Sequence, residues 1–162
     1  MDVVVFIGSE SDLEVVTDAG RILDDFGVSH RLEVTSAHRS PERTRMLIAE
    51  GEKKGAKVFI AVAGKAAHLA GFVAGYTSLP VIGVPVESSG LGGMDALLST
   101  VQMPKGVPVA TMGLGKAGAF NAAILAVQIL SLGNPALRKK LAEYKQVLAD
   151  QVEKSSKNIR KS

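Results

Sequence analysis

Cysteine is absent from the 162 residues, so the chain can form no disulfide and offers no thiolate as nucleophile or metal ligand. Tryptophan is absent too, and aromatic residues make up only 4% of the chain. The core must therefore be built from Val, Ile, Leu and Ala. No apolar run approaches the roughly 18 residues that a membrane span needs. Met1 leads straight into an apolar segment, with no basic leader or cleavage pattern, and the chain reads as cytosolic. Histidine occurs only at positions 30, 38 and 68, with no acidic cluster around any of the three. Without cysteine, that leaves too few ligands for a metal site. A Walker lysine pattern and a GxGxxG after the first apolar run are also missing, which excludes the common nucleotide-binding loops.

What is present points to one domain with a proper core: 46% apolar residues and 17 glycines. The net charge of +3 is unevenly spread. From Arg138 onward eight Lys/Arg face three Asp/Glu, whereas the body before it is slightly acidic. A basic tail can bind nucleic acid. This one carries a single aromatic, Tyr144, and no nucleic-acid motif, so a solvated helix face is the better reading.

Short Val-rich runs alternate with helical patterns. Strands are expected at 2–8, 28–35, 57–64, 80–86 and 107–113, since runs of this kind suit strands buried on both faces. Helices are expected between them: one opened by a Ser11–Glu14 capping box and closed by Gly27, one from Ser40–Pro41 to Gly55, one over 66–77, one over 93–102, and a nearly all-apolar one over 116–133 that must be buried. Five such alternations predict an α/β fold. It is a three-layer α/β/α sandwich around a five-stranded parallel sheet in the flavodoxin-like order 2-1-3-4-5. A last helix over 135–158 carries the stripe Leu137, Leu141, Tyr144, Leu148 and Val152. With the faces of the sheet already covered, that stripe predicts packing on a neighbouring subunit. The division is thus an α/β domain over 1–133 and a helical extension of it over 134–162.

In such sheets ligands bind outside the carboxyl ends of the strands, where the strand order reverses. The loops there are "GSESD", "SAHRSP", "AGKAAH", "VESSGLGG" and "TMGLGKAG", small enough for backbone amides to approach an anion. Ser9 and Ser11 offer hydroxyls to a phosphate, and Asp12 can accept from a ribose hydroxyl; an ordinary helix cap is the plainer alternative. Arg39 can clamp a phosphate through two parallel hydrogen bonds. His38 beside it suits general acid/base work. His68 stands near a helix start, either as a neutral hydrogen-bonding imidazole or as core packing. His30 lies inside a strand and reads as structural. The residues alone point to a phosphorylated small ligand with one or two histidines placed for proton transfer.

The motifs "GSESD", "SAHRSP", "AHLAG", "LPVIGVPV" and "STVQMPKGVPVAT", in this order over about residues 3 to 130, closely resemble the PurE family of purine biosynthesis. The resemblance implies transfer of a carboxyl group to carbon 4 of an aminoimidazole ribonucleotide, with no metal or organic cofactor. It implies that Ser9, Ser11, Asp12 and Arg39 hold the ribose phosphate, that Ser36 lines the same pocket, and that His38 is the general acid/base. Ala63, Gly64, Ala66, Ala67, His68 and Leu69 match the loop that surrounds the migrating carboxyl group. A homo-octamer is implied as well. Most bacterial members are mutases, taking the carboxyl group from a carbamate on the exocyclic nitrogen; a second class uses carbon dioxide directly. Mutases usually read "GGAAHLPG" where this chain has "GKAAHLAG": Lys65 replaces a glycine and Ala70 a proline. Direct carboxylases carry a basic residue at Lys65 but lack the following "AAHL"; Lys65 is counted among the substrate-binding residues, its cation either retaining a bicarbonate-derived carboxylate beside the carboxyl pocket or pointing to solvent. His68, "GVPV" and "STVQMP" favour the mutase. A non-catalytic phosphoribosyl-ligand-binding domain on the same fold is the alternative of another class.

Overall fold

The computed structural model describes residues 1–160. Its elements run β1 Val3–Ile7, α1 Leu13–Phe26, β2 His30–Val34, α2 Pro41–Lys53, β3 Val58–Gly64, α3 Leu69–Tyr76, β4 Val81–Val86, α4 Met94–Val101, β5 Ala110–Thr111, α5 Gly115–Ser131 and α6 Pro135–Ile159. All neighbouring strands pair in parallel, in the order β2-β1-β3-β4-β5. Val3 sits level with His30 on one side and Val58 on the other, so β1 is interior to the sheet. This is the predicted architecture. The alternation of apolar runs and helical segments forces it, because a parallel pair needs a long crossover and the crossovers are right-handed.

Strand side chains alternate between two cores. Val3, Val5, Ile7, Val58, Ile60 and Val62 face α1 and α5, whose buried residues are mainly Ala, Val, Ile and Leu. Val4, Phe6, Phe59 and Ala61 face α2 and α3, and Phe6 stacks on Phe59 with ring centres 5.7 Å apart. Full burial of such a side chain stabilises the fold by roughly 1.5–3 kcal/mol. α4 joins the second face: a Cβ on Gly83 would stand 2.8 Å from Val109 and too close to Thr100, so glycine is what lets α4 settle on β4.

β2 is an edge strand and pays for it with charge. On one face Arg31 donates to Glu50 at 2.8 Å and Arg43 to Glu33 at 2.9 Å, tying β2 to α2. Hydrogen bonds from Lys54 and then Arg31 hold the Glu50 carboxyl down at about 2. On the other face Leu32 and Val34 are exposed.

Several boundaries differ from expectation. The Ser11–Glu14 capping box does not form. The chain first makes a 3-10 turn over Glu10–Asp12, capped by Ser9, whose hydroxyl accepts from the Ser11 amide; Glu14 instead pairs with Lys116 at the start of α5. Ser40 holds the N-cap position of α2 but makes no side-chain cap; its hydroxyl bonds both backbone groups of Ser36. α3 begins at Leu69 rather than 66, because the Ala67 and His68 amides donate to the Lys65 and Ala66 carbonyls only two residues back, a tight-turn pattern instead of a helical one. β5 shrinks to Ala110–Thr111.

α5 is not buried all round. Gly118, Ala119, Ala122, Ala123, Ala126 and Val127 are buried, while Phe120, Ile124 and Leu125 are only partly so. The expectation that the α6 stripe needs a foreign cover fails for its first half. Leu137 and Leu141 are buried in their own subunit, Tyr144 meets Phe26 edge-on at 5.8 Å, and Lys140 donates to the Phe26 carbonyl. The layer over the sheet leaves a seat between α1 and α5 that helical counting along the sequence does not reveal. Leu148 and Val152 stay exposed. The last two residues of the extension expected at 134–162 lie outside the described residues. Among the described residues, no helix is long and apolar enough to cross a membrane.

Candidate active site

The reversal point between β1 and β3 opens a cleft of about 620 Å³ at the carboxyl ends of the strands. Its floor and walls come from the loops after β1, β2, β3 and β4. Each loop is short because a strand ends and a helix begins within a few residues, which aims the intervening side chains at one point.

After β1, Ser9, Ser11 and Asp12 line the cleft. Asp12 is buried, and that burial raises its carboxyl above the usual range; hydrogen bonds from the Ser9 backbone and the Ser11 side chain offset part of the effect. The sign of the resulting pH dependence follows. A raised native pKa means that the folded state holds the proton more tightly than the unfolded one. The stability contribution is then present at pH values below the unfolded pKa and lost as pH rises through the native one. Asp12→Asn should therefore melt higher than the parent at pH 7 and at the same temperature near pH 3. Melting curves at the two pH values check this, and a lower melting point at pH 7 would contradict it.

After β2, the Ser36 hydroxyl accepts from the Arg39 amide at 3.2 Å, and the Arg39 guanidinium donates to the Gly8 carbonyl at 3.1 Å. Arg39 thus crosses from the β2 loop to the β1 loop, and its remaining donors are left for a ligand. The buried Thr35–Thr44 hydroxyl pair, 2.7 Å apart, fixes the start of this loop against α2.

His38 and His68 come together from loops 30 residues apart in sequence: Nε2 of His38 lies 2.8 Å from Nδ1 of His68, with the rings edge to face at 4.9 Å. Such a contact needs one donor and one acceptor. Either ring can be the donor, according to its tautomer. His68 is also the N-cap residue of α3, and its side chain makes no cap hydrogen bond.

After β3, Ala63, Gly64, Lys65, Ala66, His68 and Leu69 line the cleft. Ala67 does not: it is buried, at 1% exposure. Of the residues expected at the site, Ala67 alone falls outside the lining. Sequence reasoning missed Gly8 and Ala37, which sit within the motifs it singled out, and Ser88. Ser88 had a signal in the Gly/Ser run after β4, but nothing in that run distinguishes one serine from the next. In space it is distinct. A Cβ on Gly64 would stand 2.9 Å from Ser88 Cβ and nearer still to its hydroxyl, so Gly64 exists to let Ser88 close against β3.

The assembled cleft joins serine hydroxyls, the Asp12 carboxylate and Arg39 from the β1 and β2 loops, a histidine pair contributed by the β2 and β3 loops, and a second cation, Lys65, after β3. Comparison with known proteins gives a concordant picture. The family model for AIR carboxylase matches residues 2–151. A Pyrococcus abyssi protein named N5-carboxyaminoimidazole ribonucleotide mutase is 49% identical over 88% of this chain and 80% of its own length. Proteins of the same name from Saccharolobus solfataricus (49%, covering 98% and 92%) and Escherichia coli (45%, covering 93% and 89%) are similar over nearly the whole chain. The crystal structure of Treponema denticola PurE superposes with a TM-score of 0.86 at 28% identity, over 94% of each chain.

Proposed function

The chain belongs to the AIR carboxylase (PurE) family, and from that premise we propose that it is the N5-carboxyaminoimidazole ribonucleotide mutase of purine biosynthesis. The substrate's ribose phosphate binds Ser9, Ser11 and Arg39, with Ser36 holding the loop. The Asp12 carboxylate accepts from the sugar. The carbamate nitrogen–carbon bond breaks, its electron pair returns to nitrogen, and His38 supplies the proton. The freed carbon dioxide stays in the pocket formed by Ala63, Gly64, Ala66 and Leu69. Carbon 4 attacks it, and His38 takes back the ring proton that this leaves. Proton and carboxyl group are both conserved over the cycle, so no co-reactant is consumed.

The observation that carries this reading is the 2.8 Å contact between His38 and His68, which joins the Arg39 loop to the Lys65 loop. A shuttle must give and retake one proton without losing it, and a group able to do both accelerates each step by about 10²–10⁴-fold. The names of the similar proteins support the mutase over direct carboxylation. Assembly into a homo-octamer remains part of the proposal, supported by the exposed Leu148 and Val152.

The test supplies purified protein with fresh carbamate ribonucleotide, or with aminoimidazole ribonucleotide and excess bicarbonate without ATP. Fast conversion of the carbamate alone is the expected result. Efficient conversion in the second mixture would replace the mutase by a direct carboxylase, and activity in neither would leave a ligand-binding domain.

A further inference from the structure

Lys65 is the only non-glycine residue with a positive φ among the described residues, at 55°. For an L-residue this conformation is disfavoured because Cβ crowds the following carbonyl, and glycine adopts it freely. A lysine gains nothing locally there: it is exposed, and among the described residues no hydrogen bond or ion pair engages its ammonium. Strain kept at a cleft without a local return is a mark of function.

Its place in the cleft narrows that function. The lining residues carry two fixed cations and one carboxylate. Arg39 and the carboxylate, Asp12, sit over β2 and β1, with the serine hydroxyls suited to a phosphate. Lys65 follows β3 in the same loop as His68, beside Gly64, on which the Ser88 hydroxyl packs. A ligand with its phosphate at Arg39 and its reacting atoms at the histidines leaves Lys65 as the remaining fixed cation of the cleft, available to a second anionic group. In the proposed reaction that is the carboxyl group, anionic as carbamate and as product.

We infer that Lys65 is a specificity-determining residue of this site, its ammonium binding the carboxylate of substrate and product. The inference rests on the proposed mutase reading and adds an energetic consequence. The carboxyl group is charged in both bound ligands but neutral as the freed carbon dioxide between them. Lys65 therefore stabilises the ground states more than the reacting state, which tightens binding without raising the rate of the chemical step.

Two measurements test it. The first is calorimetric binding of the carboxylated product and of uncarboxylated aminoimidazole ribonucleotide. Lys65→Met, which keeps side-chain length and backbone strain, should weaken the carboxylated ligand by about tenfold, in the range of one charge-assisted hydrogen bond. It should leave the uncarboxylated ligand within about twofold, and Lys65→Arg should restore the discrimination. The second is steady-state turnover of the carbamate. Lys65→Met should raise KM by about tenfold with kcat at or above the parent value. Equal weakening of both ligands, no weakening of either, or a fall in kcat would overturn the inference. Lys65→Gly checks that the variants fold: it should lose the same discrimination and melt a few degrees higher, about 2–5 °C, because the strain is gone. A parent protein that discriminates the ligands but fails to convert the carbamate would sink the mutase reading and leave the carboxylate site standing.

Discussion

His38→Asn should lose about 10²–10⁴-fold in kcat and leave binding of uncarboxylated aminoimidazole ribonucleotide within a few-fold of the parent. Asparagine keeps much of the size of the ring and one hydrogen-bonding end, so the cleft and the contact with His68 can persist. What it cannot do is bind and release a proton near neutrality. Neither the phosphate donors on the β1 loop nor Lys65 is touched. The loss therefore falls on the chemical step, and KM should move little. Single-turnover kinetics with the carbamate ribonucleotide separate the two. A variant within tenfold of the parent kcat would move the acid/base role away from His38. Loss of binding along with turnover would make His38 a structural member of the loop.

Gly118→Ala should destabilise the fold by about 1–3 kcal/mol, an overpacking cost, even though alanine is the better helix former. The competing terms can be weighed. In a helix interior alanine gains roughly 0.5–1 kcal/mol over glycine. Against that, a Cβ at position 118 would lie 2.6 Å from the carbonyl carbon of Gly113 and closer to its oxygen. That neighbour is backbone, so it cannot swing away as a side-chain tip would. Either the loop over Gly113–Gly115 moves or α5 lifts from β4, and α5 is the helix that seals one core of the sheet. The melting temperature should fall by roughly 2–4 °C for each kcal/mol. Gly113→Ala, whose Cβ meets nothing within 4 Å, is the control and should be near neutral. A Gly118→Ala protein more stable than the parent would show that helix propensity outweighs the contact.

Strand order, the two cores and the convergence of the loops were legible because they depend on periodicity and on the sidedness of parallel sheets. Val3 to Ile7 read as a buried strand and are one. The same reasoning brought His38 and Arg39 to the cleft, since a residue just past a strand's carboxyl end has few other places to be. What escaped it depends on a single torsion or a single contact. No pattern announces the tight turns over residues 65–68 that delay α3, and none marks Ala67 for burial. The covered half of α6 was lost for another reason. An amphipathic stripe says that a helix needs a partner, but the seat formed by Phe26, α1 and α5 exists only once the chain has folded.

The interior position of β1 carries a consequence for synthesis. Its two neighbours, β2 and β3, both lie later in the chain. When Val3–Ile7 leaves the ribosome, neither strand that will flank it has yet followed it out. At roughly 5–20 residues per second, the wait for β3 is about 3–10 s. During that wait an uncharged run of Val, Phe and Ile has open edges on both sides, the kind of segment that recruits other chains. Its nearest protection is α1, whose apolar face follows directly and can cover one side of the strand before any strand pairing is possible. The order of elements along the chain thus sets a nursery problem for its first strand, and the first helix is the guard that arrives in time.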